Sequence, residues 1–113
     1  MIAISKQDDN FVFEVQHFHK LWALKSQLTI PAEHILKVHR DLDSIKGWKG
    51  WRLLGTSMPG VLTAGTFLKS GKKIFWDVSN IENCIIIELD HEFYNRLIIE
   101  VENPEEAIKT LTS

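Results

Sequence analysis

Chemistry in this chain would have to come from a small number of residues. The most unusual stretch is Lys46-Gly47-Trp48-Lys49-Gly50-Trp51-Arg52, in which tryptophans alternate with basic side chains. An indole offers a flat face for stacking on a ring or a cation, and it settles readily at a lipid–water boundary. Basic neighbours would hold a negative charge beside it. Trp48, Lys49, Trp51 and Arg52 are therefore the candidate ligand-binding residues. The same stretch has a structural reading, with both indoles lying over the core and the cationic heads kept in water.

The other reactive types are dispersed. His17 and His19 would share a face of a strand and could form one edge of a metal site, but His34, His39 and His91 stand alone and no H-E-x-x-H pattern occurs. Cys84 lies in the apolar run NCIIIEL, where a buried, inert thiol is expected. The carboxylate pairs Asp41/Asp43, Glu88/Asp90 and Glu100/Glu102 read as solvated faces and loops. Neither a nucleophile elbow nor a phosphate-binding glycine loop is present. The expectation is a protein without catalytic residues, metal or cofactor.

What must position these residues is one domain. The chain has 113 residues, enough for a single core without disulfides or metals. Thirteen basic and fifteen acidic side chains give a net charge of −2, which supplies no global attraction to nucleic acid or to an acidic membrane. The opening MIAISKQDDN lacks the basic start and apolar run of a signal peptide, so a cytoplasmic location is expected.

Period-2 alternation dominates. Strands are predicted over Ile2–Ser5 and Phe11–Gln16, the latter with Phe11, Phe13 and Val15 on one face. Lys20–Ile30 is predicted as a further strand, favoured over a helical reading of WALKSQL, and Ile35–Arg40 as another, with broken parity that leaves a short helix as the alternative. Asp41–Gly60 reads as a long connection with a brief strand at Trp51–Leu54. Ser70-Gly71 between GTFLK and KKIFWDV is a hairpin turn signal. Ile85, Ile87 and Leu89 form one face of a strand and Leu97, Ile99 and Val101 one face of its neighbour; the opposite faces mix Ile86 and Ile98 with Glu88, Arg96 and Glu100, a surface open to partial cover, and Ile86, Ile98 and Phe75 are the candidate outward apolar residues. Asn103, Pro104 and Glu106 mark a helix start, followed by an apolar stripe of Ala107, Ile108 and Leu111.

Several tokens carry a family resemblance: Leu28-Thr29-Ile30-Pro31 with Ile35, Arg52-x-x-Gly55, Pro59-Gly60, Gly65-x-Phe67, and Val101-Glu102-Asn103-Pro104-Glu105-Glu106. In this order they resemble the bacterial pleckstrin-homology (PH)-like family. The resemblance implies a mainly β fold, a partly open barrel of two antiparallel sheets capped by one C-terminal helix, over residues 1–113 as a single domain. It also implies a binding or scaffold module. The family's lipid-binding members carry basic residues in the first hairpin loop, whereas Lys6-Gln7-Asp8-Asp9-Asn10 here has two carboxylates against one lysine.

The functional expectation is a non-catalytic module that binds a protein partner or a second copy through sheet edges and outward apolar residues. A membrane- or anion-binding module using residues 46–52 is the second reading, and a small enzyme the third.

Overall fold

The computed structural model describes residues 2–15, 27–45, 50–58 and 62–112, with backbone alone at 42, 44, 52, 54–58 and 62. Nine strands and one α-helix are found among them: β1 (Ile2–Gln7), β2 (Asn10–Val15), β3 (Gln27–Pro31), β4 (Ile35–His39), β5 (Trp51–Met58), β6 (Leu62–Lys69), β7 (Lys72–Val78), β8 (Cys84–Leu89), β9 (Arg96–Glu100) and α1 (Pro104–Thr112). Among the described residues they form two sheets, one of order β1-β2-β3 and one of order β4-β8-β9-β7-β6-β5. Among the described residues no strand pairing joins the two sheets, so the barrel is partly open, as expected. The expected strand over Lys20–Ile30 is present from Gln27; its earlier part, with His17 and His19, lies outside the described residues.

The local signals act as their chemistry requires. Ser70 and Gly71 both have positive φ, 54° and 78°, and Lys69 pairs with Lys72, which is a two-residue turn of the primed kind that matches strand twist. At the start of α1 the Asn103 side-chain oxygen accepts from the Glu106 N–H at 3.2 Å, satisfying one of the free amides of the first turn. Ala107 and Leu111, one turn apart, are buried against the core, and the helix docks on β4 and β8.

β4 shows why its sequence parity is broken. The register against β8 shifts between Ile35 and Lys37, so one extra residue is inserted. Ile35 and Val38 can then both pack against the inner core, while Leu36 is left exposed.

The larger sheet departs from an all-antiparallel arrangement at one pair. β7 and β9 run parallel, with Ile74 opposite Arg96 and Asp77 opposite Ile99, and β8 is reached by passing beyond β9. β8 lies inside the sheet with an apolar cluster on each face, and a strand covered on both faces reads as a continuous apolar run. Cys84, Ile85, Ile86 and Ile87 are accordingly all buried.

Two apolar clusters result. The inner one joins Phe11, Phe13 and Val15 of the small sheet to Phe75, Ile85, Ile87, Leu97 and Ile99 of the large sheet, and to Ala107 and Leu111. The outer one gathers Ile74, Trp76, Cys84, Ile86 and Ile98 with Phe67 and Ile45. This corrects the expectation of outward apolar residues. Ile86 and Ile98 lie in the outer cluster and Phe75 in the inner one, so none is available to a partner.

Candidate functional site

The residues singled out for ligand binding fare differently. Trp48 and Lys49 lie outside the described residues. Trp51 and Arg52 are strand residues at the start of β5, opposite Leu68 and Phe67 of β6. Trp51 is 69 % exposed, which removes the reading of that indole as a cover for the core. Gly50 immediately before it has φ of +103°, and a Cβ there would lie 2.4 Å from the Leu68 carbonyl oxygen. Only glycine lets the chain enter β5 so close to β6.

Two carboxylates expected to be solvated are instead fixed anions. Glu88 on β8 accepts from Arg96 Nε on β9 at 2.9 Å, and its other oxygen lies 3.1 Å from His39 Nε2 on β4. Burial pushes its pKa up, but these partners outweigh that and hold it below the ordinary 4.5. Glu100 is nearly fully buried; one oxygen accepts from the Ser79 hydroxyl at 2.7 Å, the Ser79 amide at 3.0 Å and the Asn80 amide at 3.4 Å. Here too burial raises the pKa and the hydrogen bonds bring it lower still. Glu88 ties β8 to its two neighbours β4 and β9, Glu100 ties β9 to the connection after β7, and neither lines the groove between β1 and α1.

The histidines are scattered among such pairings. His34 Nδ1 lies 2.5 Å from Glu92 and His91 Nδ1 lies 2.9 Å from Asp90. Among the described residues no three or more His, Cys, Asp or Glu side chains are grouped to hold a metal ion. Cys84 is fully buried and its pKa is pushed up to about 11 by that burial, so it is a poor nucleophile at neutral pH.

The feature that sequence reading missed is a groove between β1 and α1, with a volume of about 540 Å³. One wall is formed by Ile2, Ala3 and Ile4, the other by Asn103, Glu106, Ala107 and Thr110, with Val101 and Glu102 between them. The helical residues follow a spacing of three or four, so they are one stripe of α1. Successive strand residues point to opposite faces, so three in a row line one groove when the strand presents its edge. β1 pairs only with β2 among the described residues, which leaves that edge for the groove. The rim carries Glu102 and Glu106, both exposed. No sequence window holds both walls, because they come from opposite ends of the chain; the alternation in β1 and the capped helix were the available hints.

Comparison with protein-family models, curated proteins and solved structures gave no match for this chain. Among the described residues, no helix is long and apolar enough to cross a membrane.

Proposed function

We propose that this protein is a non-catalytic binding module, PH-like in plan and working in the bacterial cytoplasm, that takes up an extended peptide segment of a partner protein along β1. The observation that carries the reading is the groove between one stripe of α1 and β1, whose second edge has no strand partner among the described residues. A strand edge supplies a row of amide and carbonyl groups for main-chain hydrogen bonding, and a neighbouring groove sorts the side chains. The volume of about 540 Å³ is within the range of specific binding clefts. Glu102 and Glu106 on the rim favour Lys or Arg in the bound segment.

The test is selection of extended peptides from a random library on the intact chain, followed by N-methylation of each amide in a selected peptide. Bound strands use alternate amides, so methylation should weaken binding at every second position and be tolerated between. Ala3→Arg and Thr110→Arg, each narrowing the groove from one wall, should lower affinity at least tenfold. A segment supplied by a second copy would appear as concentration-dependent dimerisation abolished by the same changes. Selected peptides that ignore both substitutions, or a methylation profile without alternation, would overturn the proposal.

A further inference from the structure

The second feature is a surface on different elements, the turn of the β6–β7 hairpin. Lys69, Lys72 and Lys73 cluster around Ser70-Gly71, where Ser70, Gly71, Lys72 and Lys73 are exposed. A Cβ built on Gly71 meets nothing within 4 Å, so the turn stands in open space. Two aromatic side chains border it. Trp51 lies opposite Leu68, next to Lys69, and is 69 % exposed. Phe93, in the β8–β9 connection, is 64 % exposed and has the Lys73 ammonium 4.7 Å above its ring. That connection is anchored to the hairpin by Asn95, whose amide donates to the Lys73 carbonyl and whose side chain accepts from the Lys73 amide.

The placement is selective. Trp51 and Phe93 are the only largely exposed aromatic residues among those described, and both flank this one turn. The same connection also carries two carboxylates, Glu92 beside His34 and Asp90 beside His91. A net charge of −2 for the whole chain makes a local group of three lysines beside two exposed aromatics a distinct electrostatic feature.

We propose that this hairpin turn is a landing surface for an anionic lipid bilayer, with Lys69, Lys72 and Lys73 meeting headgroup phosphates and Trp51 and Phe93 entering the interfacial layer. An indole settles at that depth and an apolar phenyl ring gains by entering the layer, and lysines near an anionic surface add attraction that salt screens. This surface is separate from the β1 groove and does not depend on the peptide-binding reading.

The experiment is co-sedimentation of the intact chain with vesicles of phosphatidylcholine alone and of phosphatidylcholine with about one third phosphatidylserine, at low and near-physiological salt. Binding is expected only to the anionic vesicles and is expected to fall with salt. The triple variant Lys69→Gln/Lys72→Gln/Lys73→Gln should lower the partition coefficient on the order of a hundredfold, about fivefold per lysine. Phe93→Ser should weaken it several-fold while circular dichroism stays unchanged. Absence of binding to anionic vesicles at low salt, or equal binding by the triple variant and the native chain, would overturn the assignment. So would lysine-dependent retention of a single-stranded oligonucleotide without vesicle binding.

Discussion

Leu111 is the side chain on which the docking of α1 can be tested most directly. It is nearly fully buried in the inner cluster, one turn beyond Ala107. A nine-residue helix has little stability in isolation, so its presence depends on this apolar stripe. Leu111→Ala removes buried carbon and leaves space that neighbours fill only in part; such changes destabilise by roughly 2–5 kcal/mol. Leu111 stands close to the end of the helix, where the backbone can move inward, so the lower part of that range, about 2–3 kcal/mol, is expected. At about 4 °C per kcal/mol for a domain of this size, Tm should fall by ~8–12 °C. Lys109→Ala, on the exposed side of the same helix, should change Tm by no more than ~2 °C. Thermal melts followed by circular dichroism, with urea titrations to obtain the free energy, give both numbers. The double change Ala107→Asp/Ile108→Asp puts carboxylates against the core and should prevent folding. A Leu111→Ala variant melting within 2 °C of the native chain would show that α1 does not seal the inner cluster, and the groove would lose its second wall.

Three further outcomes follow from named contacts. Gly50→Ala must place a Cβ 2.4 Å from the Leu68 oxygen in a left-handed backbone, so it should destabilise by more than about 1 kcal/mol, read as a lower urea midpoint. Cys84, with its pKa raised from 9.0 to about 11, has roughly a hundredfold less thiolate than an ordinary cysteine at neutral pH, and it is also enclosed. Maleimide labelling followed by mass spectrometry should therefore be complete in denaturant and nearly absent in buffer. Glu88 and Glu100 have folded-state pKa values below the ordinary 4.5, so their contribution is present in full above about pH 5 and is lost as pH falls through the folded values. Urea midpoints should decline below about pH 5, and Glu88→Gln should lose less than the native chain over that fall.

What the sequence made legible is what short-range chemistry determines. Asn103 caps Glu106 three residues away, and Ser70-Gly71 closes its hairpin, because all the atoms involved are neighbours in the chain. The inner face of β2 could be read from alternation. The parallel pairing of β7 with β9 could not, since a strand's own pattern does not name its neighbour. The burial of β8 on both faces did leave a trace: the unbroken run Cys84-Ile85-Ile86-Ile87 supplies Ile85 and Ile87 to the inner cluster and Cys84 and Ile86 to the outer one. The broken parity of β4 was likewise a bulge seen in one dimension. Glu88 and Glu100 looked solvated because their partners are remote, His39 lying 49 residues away and Ser79 lying 21 away. Of the ligand-binding quartet, Trp51 remains a surface candidate, now through its place beside Lys69 rather than through the loop before it.

The small net charge was used at the outset to set aside electrostatic partners, and the fold limits that inference. Thirteen basic and fifteen acidic side chains nearly cancel over the whole chain, but partners respond to charge within a Debye length of about 10 Å rather than to the sum. The groove rim carries Glu102 and Glu106, whereas the hairpin turn carries Lys69, Lys72 and Lys73. A basic peptide and an anionic bilayer would therefore be drawn to different elements of one nearly neutral molecule. The two ligands also attract each other, so a basic peptide added to a vesicle assay would bind lipid and displace the protein without touching the groove. Lysine variants of the turn and groove variants of β1 and α1 separate these effects. If the assignments are right, each set of changes abolishes one interaction and leaves the other intact.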